Sequence, residues 1–384
     1  MSYHWALPAL LAWLAVLLAP WRPWRTDERL EADARRAGET LGDVAVLIPA
    51  RNEAATLPAT LASLAAQGPG LEILVVDDQS DDDTARVVRD AALSGVRLIR
   101  GEPLPPGWSG KVWAQAQGAR HLRRPLTLLL DADVALAPGL VATLRAELER
   151  ERRDLVSLMA TLPMRGFWER LLLPPFVFFF KLLYPFRLAA APRSRVAAAA
   201  GGCILLRTPV LESIGGFAAL GDALIDDCAL ARLAKRAGHR TWVGLSRSVT
   251  SHRRYARLAD VWRMVARSAF TQLGCSWWWL ASCTVAMLVC FASPAAVLVA
   301  GDASARAVAA AALAASFTAY LPTLRFYDVP SPWVLGLPLA GVLFLAMTWD
   351  SALGYARGRR AAWRGRRYAR RTGDDASMTL GSPR

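Results

Sequence analysis

Lysine is scarce in this 384-residue chain: only Lys111, Lys181 and Lys235 stand among its 46 basic residues. The four histidines (His4, His121, His239, His252) are scattered without ligand spacing. Five cysteines (Cys203, Cys228, Cys275, Cys283, Cys290) show neither a CxxC pair nor Cys/His spacing. Neither a zinc site nor a disulfide framework is implied. Three of the five lie in or beside one apolar run, where cysteine behaves as a small hydrophobe. Charge is sparse as well, at 20% against 54% hydrophobic residues. That balance excludes a disordered chain and an ordinary cytosolic protein. The length allows about two globular units. What is there divides sharply. Residues 22–268 mix polar and apolar like a soluble domain, whereas 5–20 and 276–350 are almost pure hydrocarbon. The chain reads as a membrane protein carrying a soluble domain.

The net charge of +14 is concentrated. A tail over 354–384 holds nine Arg against Asp374 and Asp375, and 247–267 holds six Arg against Asp260. Both clusters abut apolar runs, so the positive-inside rule explains them better than nucleic-acid binding, and no nucleic-acid partner is expected. An uncleaved N-terminal anchor is expected within 1–24. Arg22 and Arg25 follow its apolar run, while Met1 to His4 carry no Lys or Arg. The expectation is an outside N-terminus and a cytoplasmic domain on a multi-pass protein of the cell (inner) membrane. A C-terminal transmembrane region, 276–353, offers three spans at 276–300, 303–324 and 333–353. Three crossings would put the basic tail outside, against the charge rule, unless the Ala-rich middle segment with Arg306 does not cross. The stretch 167–190 is apolar and aromatic but interrupted by Pro174, Pro175, Lys181 and Pro185. It suits a membrane surface better than a span, with a buried loop-helix as the alternative.

Within the soluble part, short apolar runs alternate with helical stretches. Strands are expected at 44–48, 71–76, 96–99 and 126–130, with a helix over 57–67. Strands buried on both faces and separated by helices imply a mostly parallel α/β sheet. Ligands of such sheets bind at the carboxyl ends of strands. Acids recur there: Asp77 and Asp78 after one strand, Asp131 and Asp133 after another. Two carboxylates two residues apart can reach one divalent ion, and Mg2+ or Mn2+ takes one or two carboxylates plus substrate phosphates. The following Asp81 to Asp83 read equally well as a turn and helix cap.

Together these residues resemble the inverting family 2 glycosyltransferases over about residues 43–270. The matches are Ile48-Pro49-Ala50-Arg51-Asn52-Glu53, Val75-Val76-Asp77-Asp78-Gln79-Ser80 with Thr84, Leu130-Asp131-Ala132-Asp133, and Leu224-Ile225-Asp226-Asp227-Cys228-Ala229-Leu230. The last is similar to the family's Glu-Asp-x-x-Leu element, with Asp226 in the Glu position. Within the family, Leu104 to Ala114 and Asp260 to Arg267 resemble segments of hopanoid-associated, membrane-bound members, the first shared with carotenoid-type enzymes. The Gln-x-x-Arg-Trp element of processive relatives is missing; only Trp262-Arg263 stands there.

The resemblance implies a nucleotide-sugar-binding (GT-A-like) α/β domain plus transmembrane helices. It implies a nucleotide-sugar donor, a membrane lipid acceptor (a hopanoid or related polyprenoid hydroxyl), contact with the phospholipid bilayer, and Mg2+ or Mn2+. Transfer from a nucleoside diphosphate must stabilise the departing diphosphate and deprotonate the acceptor. Asp227 is the expected base and Asp133, with Asp131, the expected metal site. Pro49, Asn52, Glu53, Asp77, Asp78, Lys111 and Asp131 are expected around the donor. Asp226, Gly202 and Arg263 are weaker expectations for acceptor or phosphate, with Arg267 beside them. Two other readings stay open: sugar transfer to polyprenyl phosphate or polysaccharide, and a non-catalytic membrane protein using the same fold for binding.

Overall fold

The computed structural model describes residues 3–91, 93–221 and 223–358, with the backbone of Ala362–Trp363 and Arg366–Arg367 beyond them. Most of the expected basic tail, 354–384, therefore lies outside the described residues. Eight strands build the main sheet: β1 (Val44–Ala50), β2 (Glu72–Asp77), β3 (Val96–Arg100), β4 (Leu126–Leu130), β5 (Val134–Leu136), β6 (Leu155–Thr161), β7 (Cys203–Arg207) and β8 (Thr241–Ser251). Their order is β3-β2-β1-β4-β7-β6-β8-β5. The block β3-β2-β1-β4 is parallel. β7 then runs antiparallel between β4 and β6, β6 and β8 are parallel, and β5 closes the edge antiparallel to β8. The sheet is thus mixed, mostly parallel, and its two antiparallel strands, β5 and β7, were not visible in the residue pattern.

Strand periodicity explains the core. Every residue of β1 is buried, and alternate side chains enter opposite layers. Val46 and Ile48 join one cluster with Ile73, Val75 and Leu128, while Leu47 joins the other with Leu74, Val76 and Leu129. Helices Leu57–Ala65 and Gly110–Ala119 cover these faces. Because β1, β2 and β4 point the same way, Pro49, Asp77 and Asp131 emerge along one edge.

Three further helices, Trp277–Ala300, Ala303–Phe326 and Ser331–Ala356, are long and apolar enough to cross a membrane. Helix Leu7–Leu18 has 12 residues. At about 1.5 Å per residue it reaches roughly 18 Å, short of the ~30 Å hydrocarbon layer. It packs against Ala303–Phe326 instead. Trp13 donates its ring N–H to the Cys290 carbonyl (3.2 Å) and meets Phe291 at 5.4 Å and Phe178 at 6.2 Å. Phe178 belongs to the helix Phe167–Leu183, which runs on through Pro174 and Pro175 and ends before Pro185. That helix buries Leu172, Leu173, Val177 and Phe178 and exposes Phe167 and Leu183 at its two ends.

Candidate active site

The first two strand ends are stapled together. Arg51, buried, donates to the carbonyls of Asp78 (2.5 Å) and Gln79 (2.7 Å). Asn52 takes a left-handed φ of 52°. Its backbone N–H donates to Ser80 Oγ (3.0 Å) and its Oδ1 accepts the Asp81 N–H (2.8 Å). Asp77 Oδ1 accepts the Ser80 N–H (3.2 Å), and the buried Asp78 donates its own N–H to the Ala50 carbonyl (2.8 Å). Asn52, Asp77 and Asp78 therefore form a loop platform, while Pro49 and Glu53 line a neighbouring cavity of about 280 Å³.

That cavity holds the charge. Lys111, in the first turn of Gly110–Ala119, sets its Nζ 2.8 Å from Asp131 and 3.4 Å from Asp226. Burial works against the ammonium, yet Asp131 and Asp226 outweigh it and raise its pKa. Burial likewise raises the Asp131 carboxyl, with Lys111 opposing. Asp133 Oδ2 accepts from Arg253 Nε (3.0 Å) and Ser251 Oγ (3.2 Å). The same guanidinium reaches Glu53 Oε1 at 3.2 Å. Glu53 is pushed up to about 7 by its burial, against hydrogen bonding from Thr56 and the charge of Arg253.

Asp226 and Asp227 open the helix Asp226–Arg236, and they face differently. Asp226 lines the cavity. Asp227 stands behind it, accepting N–H groups from Gly201 and Cys228, both at 2.7 Å. Burial, then the neighbouring Asp226, push Asp227 up to about 6. A side chain at Gly201 would put its Cβ 3.1 Å from Lys111 Nζ and 3.2 Å from Asp227 Oδ2, tight enough that both side chains would have to shift by a few tenths of an ångström. Gly202 lines the cavity and its carbonyl accepts the Asp131 N–H (3.2 Å).

Arg263 lies elsewhere: its exposed side chain pairs with Asp260 at 2.7 Å. Arg253 and Arg267 line the cavity in its place. Arg253, Ser251 and Tyr255 went unread in the sequence because the arginines of 247–267 look like one membrane-flanking cluster. The signal was the alternation of β8 continued past its end, which turns 251, 253 and 255 to the same side. The lining also includes the apolar side chains of Leu162, Phe176 and Met264.

Among the described residues, no group of three or more His, Cys, Asp or Glu side chains is placed to hold a metal by itself. Asp131 and Asp133 nevertheless line one cavity, and a hard cation that shares substrate phosphates needs no more than one or two carboxylates. The donor set fits Mg2+ or Mn2+ on those terms.

A mixed sheet with paired acids at the parallel strand ends narrows the choice of family. Residues 45–215 match Glycosyl transferase family 2. A 4,4'-diaponeurosporenoate glycosyltransferase of Staphylococcus haemolyticus is 34% identical to this chain over 131 residues, covering 34% of this chain and 35% of that relative. An undecaprenyl-phosphate 4-deoxy-4-formamido-L-arabinose transferase of Shewanella sediminis is 33% identical over 110 residues, covering 28% and 33%. The chain thus spans about a third of the length of these curated relatives. A mannosyltransferase from Pyrobaculum calidifontis, solved in complex with GDP-Man and Mn2+, superposes with a TM-score of 0.54 at 19% identity, over 88% of this chain and 98% of that one. At that identity the likeness concerns the fold. The fold of the domain is GT-A-like, residues 45–215 within it match the family 2 model, and the three long apolar helices follow it.

Proposed function

We propose that this chain transfers a sugar from a nucleoside-diphosphate sugar to a lipid acceptor at a membrane surface. One observation carries the reading. A single cavity joins a charged wall (Lys111, Asp131, Asp133, Asp226) to an apolar wall that includes Phe176 of the helix Phe167–Leu183. The charged wall suits a diphosphate and its sugar, and the apolar wall suits the hydrocarbon part of an acceptor.

The acceptor oxygen attacks the anomeric carbon as the bond to the diphosphate oxygen breaks, with inversion as in the family it resembles. A divalent ion at Asp133 and Asp131 would neutralise phosphate charge. Lys111, kept cationic by Asp131 and Asp226, adds a fixed positive charge beside the leaving group. The acceptor proton passes to the Asp226/Asp227 pair. Asp227 is the proposed base, because a carboxyl near 6 accepts a proton better than an ordinary carboxylate, and Asp226, the member of the pair that lines the cavity, stands between it and the acceptor. Pro49 and Glu53 border the donor, with Asn52, Asp77 and Asp78 shaping the loop beneath it. The domain is proposed to face the cytoplasm at the cell (inner) membrane, supported by Arg22, Arg25 and the arginines of 247–267. A hopanoid or related polyprenoid hydroxyl as acceptor rests on the resemblance of 104–114 and 260–267.

Transfer to a polyprenyl phosphate is the second reading. Arg267 favours it, since this cation lines the cavity and forms no ion pair among the described residues. Membranes containing the wild type or Asp227→Asn, supplied with labelled UDP-, GDP- or dTDP-sugars, Mn2+ and total lipid extract, test both. A labelled lipid made by the wild type and not by the variant is expected. An acid-stable product marks a hydroxyl acceptor and an acid-labile one a phosphate. Folded wild-type protein that labels no lipid with any donor would overturn the enzyme reading.

A further inference from the structure

Glu169 is fully buried one turn into the helix Phe167–Leu183, at the face the helix turns to the domain. Its carboxylate collects donors from two directions. Oε2 accepts the N–H groups of Gly166 (2.8 Å) and Arg165 (3.0 Å), which caps the helix. Oε1 accepts from Arg254 Nε (2.9 Å) and from the Tyr255 backbone N–H (3.1 Å). The second pair belongs to the segment that leaves β8. Arg253, immediately before them, bridges Asp133 and Glu53. Ser251, two residues earlier, donates to Asp133 and accepts the Arg253 N–H (3.2 Å). The segment alternates: 251, 253 and 255 line the cavity, while Arg254 turns to Glu169. Seven residues along the same helix, about 10 Å at helical rise, Phe176 lines the apolar wall. One buried carboxylate therefore links the helix that carries Phe176 to the segment whose Arg253 holds the proposed metal ligand Asp133.

We propose that Glu169 is a positioning residue for the donor side of the site, locking the 251–255 segment to the helix so that Arg253 meets Asp133 and Glu53. The proposal rests on the reading of that site as a nucleotide-sugar site. A helix cap does not need a buried carboxylate, since an exposed cap does the same work. Here the carboxylate is buried and multiply hydrogen-bonded, an arrangement that fixes geometry tightly. Burial opposes its charge, yet the hydrogen bonds from Arg254 and from the Gly166, Tyr255 and Arg165 N–H groups hold it down at about 2. It is therefore a permanent anion at any working pH.

The test uses the full chain in detergent with UDP and GDP as probes, each with Mn2+, titrated against wild type, Glu169→Gln and Arg254→Gln. Arg254 is partly exposed, so its variant leaves the helix cap in place and is expected to fold even where Glu169→Gln does not. Partners that orient ligating groups typically contribute about 10- to 100-fold, and roughly tenfold weaker nucleotide binding is expected for both variants. Donor KM should rise by a similar factor, with kcat changed less, and Arg254→Gln should stay folded while melting lower than wild type, because it removes the charge partner of a buried carboxylate. Adding Arg254→Gln to Arg253→Gln should weaken binding no further, because Arg254 acts through Arg253. Nucleotide affinity equal to wild type in a folded Arg254→Gln, or an additive loss in the double variant, would overturn the proposal and leave Glu169 a helix cap. A wild type that binds neither nucleotide would instead overturn the donor-site reading, and this proposal with it.

Discussion

Asp227 carries two opposing demands. Its carboxyl sits at about 6 in the fold, above its ordinary value of 3.8, because burial and Asp226 disfavour the anion. A raised carboxyl stabilises the fold below its unfolded pKa, and that contribution is lost as pH rises through about 6. Above that pH the anion needed for proton removal is a standing cost. Asp227→Asn removes that cost but also one of the two acceptors used by the Gly201 and Cys228 N–H groups, so it is expected to melt close to wild type at pH 7.5 while losing about 10²-fold or more in turnover. The wild-type rate should fall as pH drops below about 6. Thermal melts and a pH–rate profile check both. Lys181 shows a cost without the benefit. Its ammonium is buried with no hydrogen-bond partner among the described residues, and burial lowers it to about 8 despite Glu28 and Asp27. The unfolded chain then binds more protons between about 8 and 10.5, so stability should rise with pH across that window. Lys181→Met is expected to gain about 1–4 kcal/mol at pH 7, a gain that shrinks toward pH 10. Denaturant titrations at the two pH values measure it.

At the scale of elements, the parallel strands β1, β2 and β4 were readable because each is a buried apolar run that leads into Pro49, Asp77 or Asp131. The expected 126–130 strand coincides with β4, and 44–48 grew by two residues to Val44–Ala50. β7 was not readable. It inserts antiparallel between β4 and β6, and that pairing depends on chain more than 70 residues away from β4. The aromatic helix Phe167–Leu183 shows the reverse. Its prolines argue against a helix locally, since each removes a backbone donor. Packing of Leu172, Leu173, Val177 and Phe178 overrides that preference. This helix supplies Phe176 to the apolar wall, so it is the element to test for acceptor binding. Phe176→Ala is expected to raise KM for the lipid acceptor by about 5- to 10-fold, the roughly 1 kcal/mol that a half-buried aromatic contact contributes. Donor hydrolysis in the absence of lipid should stay at the wild-type level. Steady-state kinetics with the two substrates varied separately decide it.

Across the whole molecule, the domain and the apolar helices share a core. Val243 and Leu245 of β8 cluster with Trp13, Phe178, Phe291, Tyr320 and Leu324, which come from the N-terminal helix, the aromatic helix and two long helices. The boundary near residue 270 is therefore a boundary in sequence and not in packing. A fragment covering 43–270 would expose that face as a contiguous apolar patch. It is expected to aggregate without detergent, whereas the full chain in detergent sediments as a monodisperse species. Analytical ultracentrifugation of both distinguishes shared core from independent domain.

The amino-acid order alone determined the parallel half of the sheet, the acids at its strand ends and the long apolar helices. These are local properties: burial on both faces writes a continuous apolar run, and hydrocarbon length writes a span. Only the tertiary structure decided which charges meet. Lys111 finds Asp131 and Asp226, and Arg253 finds Asp133 and Glu53. Asp226 faces the cavity while Asp227 turns to Gly201. Ion pairs join residues up to 200 positions apart, as in Glu53 with Arg253. No local pattern encodes such a meeting, because it follows from where the sheet brings its strand ends.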